Sequence, residues 1–349
     1  MQDFFLLTRL LKSGAQAGAL SIAFSLLSLL GAHNGDRAMA NSKPENVTGP
    51  NECAECHKDE AVVWKGSHHF TTFRDMPRSK EAKAIKEKMK IKRIKAKSLC
   101  LNCHFTVQKV KKRAKAVSGI SCEKCHGDGK GYLKVHAEFS GHKKKENESK
   151  AQAAKRWKLS EAAGMIRPNA LYALAKNCYG CHVVPQEKLV NQGGHPAGSE
   201  FELVSWSQGE VRHNVWYSKG KSNKKASANR KRMMYLVGLA VELETALRAV
   251  GVAKAKKTYA VKMAKRAAAG RKKLIDVAKA LPGVPELSTI AKLGKSAKLK
   301  LNNNASLSAI ADKISKQTLV LASKYDGSKF AGIDPMIPRP DKYKGKPAK

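Results

Sequence analysis

Four times in this chain two cysteines stand three apart with a histidine directly after the second. The boxes are Cys53/Cys56/His57, Cys100/Cys103/His104, Cys122/Cys125/His126 and Cys178/Cys181/His182. Together they take up all eight cysteines. C-x-x-C-H is the attachment signature of c-type haem. Two thiols at that spacing reach the two vinyl groups of one porphyrin and form thioethers. The adjoining histidine is then held under the iron as its proximal ligand. A zinc site would need two C-x-x-C pairs per ion, about 15–20 residues apart. Cys103 and Cys122 come near that spacing, but zinc gives no reason for a histidine after every second cysteine. The boxes therefore predict four covalently bound haem c groups, in preference to zinc or a disulfide framework.

The remaining histidines decide what such irons could do. Of eleven in the chain, four close the boxes and His33 falls in the N-terminal leader. His68, His69, His136, His142, His195 and His213 are left. That supply suffices for bis-histidine ligation throughout, with no need of methionine, which raises the potential. His68 and His69 are neighbours on a predicted helix and point in different directions, so one of them is expected to reach an iron. His142 lies in a Gly-His-Lys-Lys-Lys run and reads as solvated. His213, between Val211 and Trp216, is expected to face a buried macrocycle. His195, between Gly194 and Pro196, suits a loop that carries a ligand. Which of the two serves which iron stays open. An iron with both axial positions filled is built to pass electrons, whereas one lacking its sixth ligand could bind a small molecule.

These groups must be held by a chain of 349 residues with 67 Lys+Arg against 28 Asp+Glu, a formal net charge of +39. The propionates of four haems would offset at most eight of those charges. Such a field steers acidic partners and anionic surfaces toward the protein. Aromatic residues make up only 6% of the chain, so porphyrins are expected to supply much of the core of the box region. Nucleic acid, the usual partner of a basic protein, is disfavoured by the N-terminus. Arg9 and Lys12 precede an apolar run over 19–32, and Ala38-Met39-Ala40 matches an A-x-A cleavage pattern. Residues 1–40 thus read as a signal peptide cleaved near Ala40, which places the mature protein in the periplasm. The apolar run is short for a membrane span.

Between the boxes the pattern predicts mostly helix. Residues 58–70 read as one helix and 79–97 as a lysine-rich, solvated one. Residues 109–115 are a basic stretch and 143–160 a charged insert. Gly127 and Gly129 allow a tight turn past the haem edge. Residues 201–206 alternate like a short strand. After residue 220 there is no further cysteine or histidine. Leu236, Leu239, Leu243, Leu247 and Val250 repeat with helical period. A second helix over 255–281 is expected to stop at Pro282 and Pro285, and a third covers 306–325. The reading is a mainly α protein. Residues 41–220 form a tetrahaem domain wrapped around its cofactors, 221–331 a basic helical hairpin or bundle, and 332–349 an extended tail.

Several of these residues resemble the tetrahaem cytochrome c-554 family of periplasmic electron carriers. Trp64 and His69 follow Cys53 by eleven and sixteen residues, in the family's C-x-x-C-H…W…H arrangement. The run from Gly119 through Cys122-Glu123-Lys124-Cys125-His126 to Gly129 is similar to the family's G-x-x-C-E-x-C-H-G-P-G, with Asp128 in place of proline. His136 follows His126 by ten. The resemblance covers about residues 50–215. It implies that His69 is the distal ligand of the haem on His182 and His136 that of the haem on His57. The haem on His126 would take His195 or His213, and the haem on His104 would lack a strong sixth ligand. It also implies closely stacked haem pairs and electron uptake from a hydroxylamine-oxidising multihaem partner. The presence of both His195 and His213 departs from that pattern. The expectation is an electron carrier rather than an enzyme. The alternatives are a haem enzyme acting on nitric oxide or hydroxylamine at an open iron, and a cytochrome held on an anionic membrane surface by its basic helices.

Overall fold

The computed structural model describes residues 42–346, so the leader and its cleavage pattern lie outside the described residues. Each box sits on a short helix or at the end of a longer one. Pro50 opens α1 (Pro50–Cys56), since a proline at the first helical position gives up only an N–H that has no partner there. Gly66 and Ser67 then split the helix expected over 58–70 into α2 (Lys58–Lys65) and α3 (His68–Asp75). The lysine-rich helix is α4 (Lys80–Lys88), capped by the Ser79 side chain accepting from the Ala82 amide. It ends at Met89, well short of residue 97. The second box lies on α5 (Leu101–His104).

The basic stretch after it is not a helix. β1 (Thr106–Val110) and β2 (Arg113–Ser118) pair antiparallel, with Val107 opposite Ala116 and Val110 opposite Arg113. Its short, alternating, β-branched residues favour a pleated surface over a helix. The hairpin returns the chain so that the third box, on α6 (Cys122–His126), follows at once. α7 (Leu133–Ala137) carries His136. The charged insert contains a helix, α8 (Lys150–Ala162). A capping box opens it: Ser149 accepts from the Gln152 amide, and the Gln152 side chain accepts from the Ser149 amide. α9 (Leu171–His182) ends in the fourth box, and α10 (Glu187–Asn191) follows.

The expected strand over 201–206 is a single helical turn, α11 (Leu203–Ser207). The Glu202 carboxylate accepts from the amides of Val204 and Ser205 and so starts it. Six alternating residues fit one turn as well as one strand, and the cap decides.

The C-terminal part has four helices where three were expected. They are α12 (Ala228–Val252), α13 (Thr258–Ala280), α14 (Pro285–Ser296) and α15 (Asn304–Lys324). Pro285, expected as a stop, is instead the first residue of α14, where its ring is tolerated. α12 is central and packs on α9, α11, α13 and α15. Its buried residues lie on nearly every face, including Leu236, Val237, Leu239, Ala240, Leu243 and Leu247. A helix apolar all round is one that neighbours enclose. One hydrophobic core runs from Leu171 on α9 through Phe201 and Leu203 to Ile333, so the box-four helix and the C-terminal helices share it. Ala82, Ile94 and Phe105 form a smaller core around the second box. No described helix is long and apolar enough to cross a membrane.

Candidate haem-binding sites

The four boxes are drawn together by their own residues. Glu123, the second residue of the third box, is buried. Its carboxylate accepts from the amides of Thr48 (2.8 Å), Gly49 (2.9 Å) and Gly129 (2.7 Å). That knot fixes the start of α1, and with it box one, against α6. Asn177 on α9 donates to the carbonyl of Cys125 at 2.9 Å, joining box three to box four. Lys124 of box three donates to the Asn102 carbonyl of box two at 3.2 Å. Asp128 accepts from Ser42 Oγ at 2.6 Å and from the Lys43 amide at 3.0 Å, so it anchors the segment before box one. Neither the Glu123 knot nor the Asp128 anchor was foreseen. The only signal for the first is a glutamate inside a box.

The histidines meet in twos. His57 lies 6.3 Å from His136, His69 6.4 Å from His182, His104 6.2 Å from His195 and His126 6.2 Å from His213, centroid to centroid. Each pair joins one box histidine to one of the others. Two imidazoles that share a metal at about 2 Å, with roughly 1.1 Å from ring centre to nitrogen, have centroids about 6.2 Å apart. No group of three or more His, Cys, Asp or Glu is gathered as a single-ion site among the described residues. Pairs are what a porphyrin iron needs, since the macrocycle provides the other four donors.

Proton placement agrees with this geometry. A carbonyl only accepts, so an imidazole nitrogen bonded to one carries the proton. Nδ1–H of His136 donates to Tyr132 (3.2 Å), that of His195 to Pro196 (2.7 Å), that of His213 to Val211 (2.8 Å) and that of His126 to Ile166 (2.9 Å), each at the backbone oxygen. In each ring Nε2 is left with its lone pair, the form that ligates iron. Burial pushes His104, His126 and His182 down to about 4, and lowers His57 and His69 as well. All five are therefore neutral at pH 7, as ligands must be.

The other two histidines go elsewhere. His68 gives its backbone amide to the Glu210 carboxylate, and its Nδ1 lies 2.8 Å from the same oxygen. Its side chain is 90% exposed. His142 Nε2 contacts the Gln152 side chain at 3.3 Å.

His69 is turned inward by a backbone lock. The Ile120 amide donates to the His69 carbonyl at 2.9 Å, and Trp64 Nε1 donates to the Ile120 carbonyl at 2.8 Å. Gly119 makes the approach possible, because a Cβ there would lie 2.1 Å from the His69 oxygen. Gly119→Ala is expected to cost about 1–3 kcal/mol and to loosen His69, which thermal unfolding and the haem spectrum report together.

His136 is held by a neighbouring ion pair. Arg156 Nη1 donates to the His136 carbonyl at 2.7 Å, and Arg156 meets Glu148 through two bonds of 2.7 and 2.6 Å. Those bonds push the Glu148 carboxyl down from its ordinary 4.5 to about 2. A depressed carboxyl contributes stability that is present above its ordinary value and is lost as pH falls through the folded one. Denaturation midpoints of the wild type should therefore drop between pH 4.5 and 2 more steeply than those of Glu148→Gln.

Ala82, Ile85, Ile94, Leu189 and Pro196 line an apolar cleft that also holds His104, Cys100 and His195. An apolar slot with two facing imidazoles and the Cys100 thiol beside them suits a flat macrocycle.

Residues 52–127 match the family model described as "Cytochrome c554 and c-prime". Over these residues the chain is similar to the cytochrome c-554 family. The family is one of c-type cytochromes, so the cofactor of its boxes is covalently bound haem c. The chain is also similar to "Cytochrome c-554" of Nitrosomonas europaea, with 23% identity over 147 residues. That alignment covers 39% of this chain and 57% of the relative, so the chain spans little more than half of the relative's length. No solved structure matches. The family match includes boxes one to three with Trp64 and His69, and leaves out box four, His195, His213 and the four C-terminal helices.

Proposed function

We propose that the protein is an exported tetrahaem electron carrier in which every iron has two histidine ligands. The observation that carries this is the pairing of each box histidine with a second histidine at 6.2–6.4 Å. Bound haem c supplies an iron that alternates between ferric and ferrous states and so holds one electron per site. The chain's own residues do the rest. Cys53/Cys56, Cys100/Cys103, Cys122/Cys125 and Cys178/Cys181 tether the four groups. His57, His104, His126 and His182, paired with His136, His195, His213 and His69, would hold the irons. Filled axial positions favour electron passage over substrate chemistry. His195 beside His104 speaks against the alternative of an open iron acting on nitric oxide or hydroxylamine.

The strongly cationic surface suits an acidic redox partner, by family analogy a hydroxylamine-oxidoreductase-like multihaem enzyme. Such encounters weaken with salt. The leader pattern and the family both favour the periplasm. Spectroelectrochemical titration of the purified holoprotein tests the reading. Uptake of four electrons per chain, with no carbon monoxide bound by the reduced protein, is the expected result. Fewer electrons, or one carbon monoxide per chain, would overturn it.

A further inference from the structure

The eight histidines share a plan, but the groups behind the box histidines differ in charge. His126 Nδ1 faces the Ile166 carbonyl at 2.9 Å, and His182 Nδ1 faces the Ser199 hydroxyl at 2.8 Å. Behind Ser199, Arg266 donates to its carbonyl at 2.8 Å and pairs with Glu242 at 2.8 Å. His57 alone among the described box histidines has a carboxylate within ion-pair distance, Glu60, at 3.6 Å from Nδ1. Both Glu60 oxygens are buried and have no hydrogen-bond partner. Burying an unpartnered carboxylate is costly, and the imidazole nitrogen 3.6 Å from Glu60 belongs to a ligand.

We propose that Glu60 is a tuning residue that makes the iron site of His57 and His136 the lowest in reduction potential of the four. A carboxylate behind Nδ1 raises the basicity of a ligating imidazole and so favours the more positive, ferric iron. A carbonyl behind His126 does this less. A hydroxyl backed by a guanidinium, behind His182, does it least of the three. The chain thereby grades its sites by the residues behind the ligands, although the ligand sets are the same. This inference rests on the bis-histidine reading above.

The test is the set of midpoint potentials of the holoprotein and of Glu60→Gln. The substitution should ease reduction of the lowest step at least tenfold, which for a one-electron couple is about 59 mV upward, and leave the other steps in place. His136→Met, which exchanges a ligand of the same iron, should move that same step and so assign it. Glu55→Gln, which removes an exposed acid from inside box one, should leave it unmoved. If Glu60→Gln sheds haem, Glu60→Asp gives the reading with the carboxylate withdrawn, and the lowest step should then rise part of the way. An unmoved lowest step, an equal shift of all steps, or His136→Met moving a different step would overturn the proposal. Haem count and spin state, measured on the same samples, report separately on the bis-histidine reading.

Discussion

His195→Ala should turn one of the four low-spin ferric sites high-spin and leave the other three unchanged. The reduced variant should then bind one carbon monoxide per chain where the wild type binds none. The expectation follows from the placement of His195 6.2 Å from His104, with its Nδ1–H fixed on the Pro196 carbonyl. Among the described residues no other histidine is paired with His104, so none is in place to replace the lost ligand. Family resemblance alone leads to the opposite expectation, an iron on His104 already open in the wild type. The variant thus separates this chain from its family's pattern. An all-low-spin variant, or a high-spin site already present before substitution, would remove His195 from the ligand set. Electron paramagnetic resonance on matched samples distinguishes the outcomes.

The second large effect is on stability. Glu244 on α12 is fully buried. Its carboxylate accepts from Lys176 at 2.6 Å and from Tyr172 at 2.8 Å, both on α9, and from Arg248 at 3.0 Å. Tyr172 also meets Ser315 on α15 at 2.6 Å. One carboxylate thereby ties the box-four helix to two helices of the C-terminal part. Glu244→Ala strands Lys176, whose side chain is only 14% exposed. Breaking a buried pair in this way costs about 3–5 kcal/mol. Denaturant unfolding followed by circular dichroism should show a loss of that size. The absorption of the fourth haem should change at the same denaturant concentration, because His182 ends the same helix. Tyr172→Phe, which leaves the ion pair intact but removes a hydrogen bond to a charged group, should cost less, about 1.5–3 kcal/mol.

How far the sequence speaks depends on how local the chemistry is. The boxes are legible because thioether attachment and proximal ligation fix three residues, two cysteines and a histidine, within five positions of one chain. Ligand pairing is not local. His104 and His195 are brought together by α4, α10 and the loop through Gly193 and Gly194, and nothing in a one-dimensional pattern chooses His195 over His213. His69 over His68 is settled by two contacts far along the chain, Ile120 on the inner side and Glu210 on the outer. The helical period of α12 was readable, but its enclosure on nearly all faces was not, since that depends on which neighbours arrive. α14 was missed because Pro285 reads equally as an end and as a first turn. The hairpin of β1 and β2 was hidden by its lysines, whose charged ends reach solvent whichever way the backbone pairs. Glu123 and Asp128 stood out only as members of a family-like run, yet one fastens box one to box three and the other holds the segment before box one.

The most direct test of the central claim is low-temperature electron paramagnetic resonance of the oxidised holoprotein, with haem counted on the same sample as the pyridine haemochrome. Four haems per chain and four low-spin ferric signals, with no high-spin component, is the result expected from four pairs of imidazoles. A count other than four, or a high-spin signal worth one haem per chain, would contradict it.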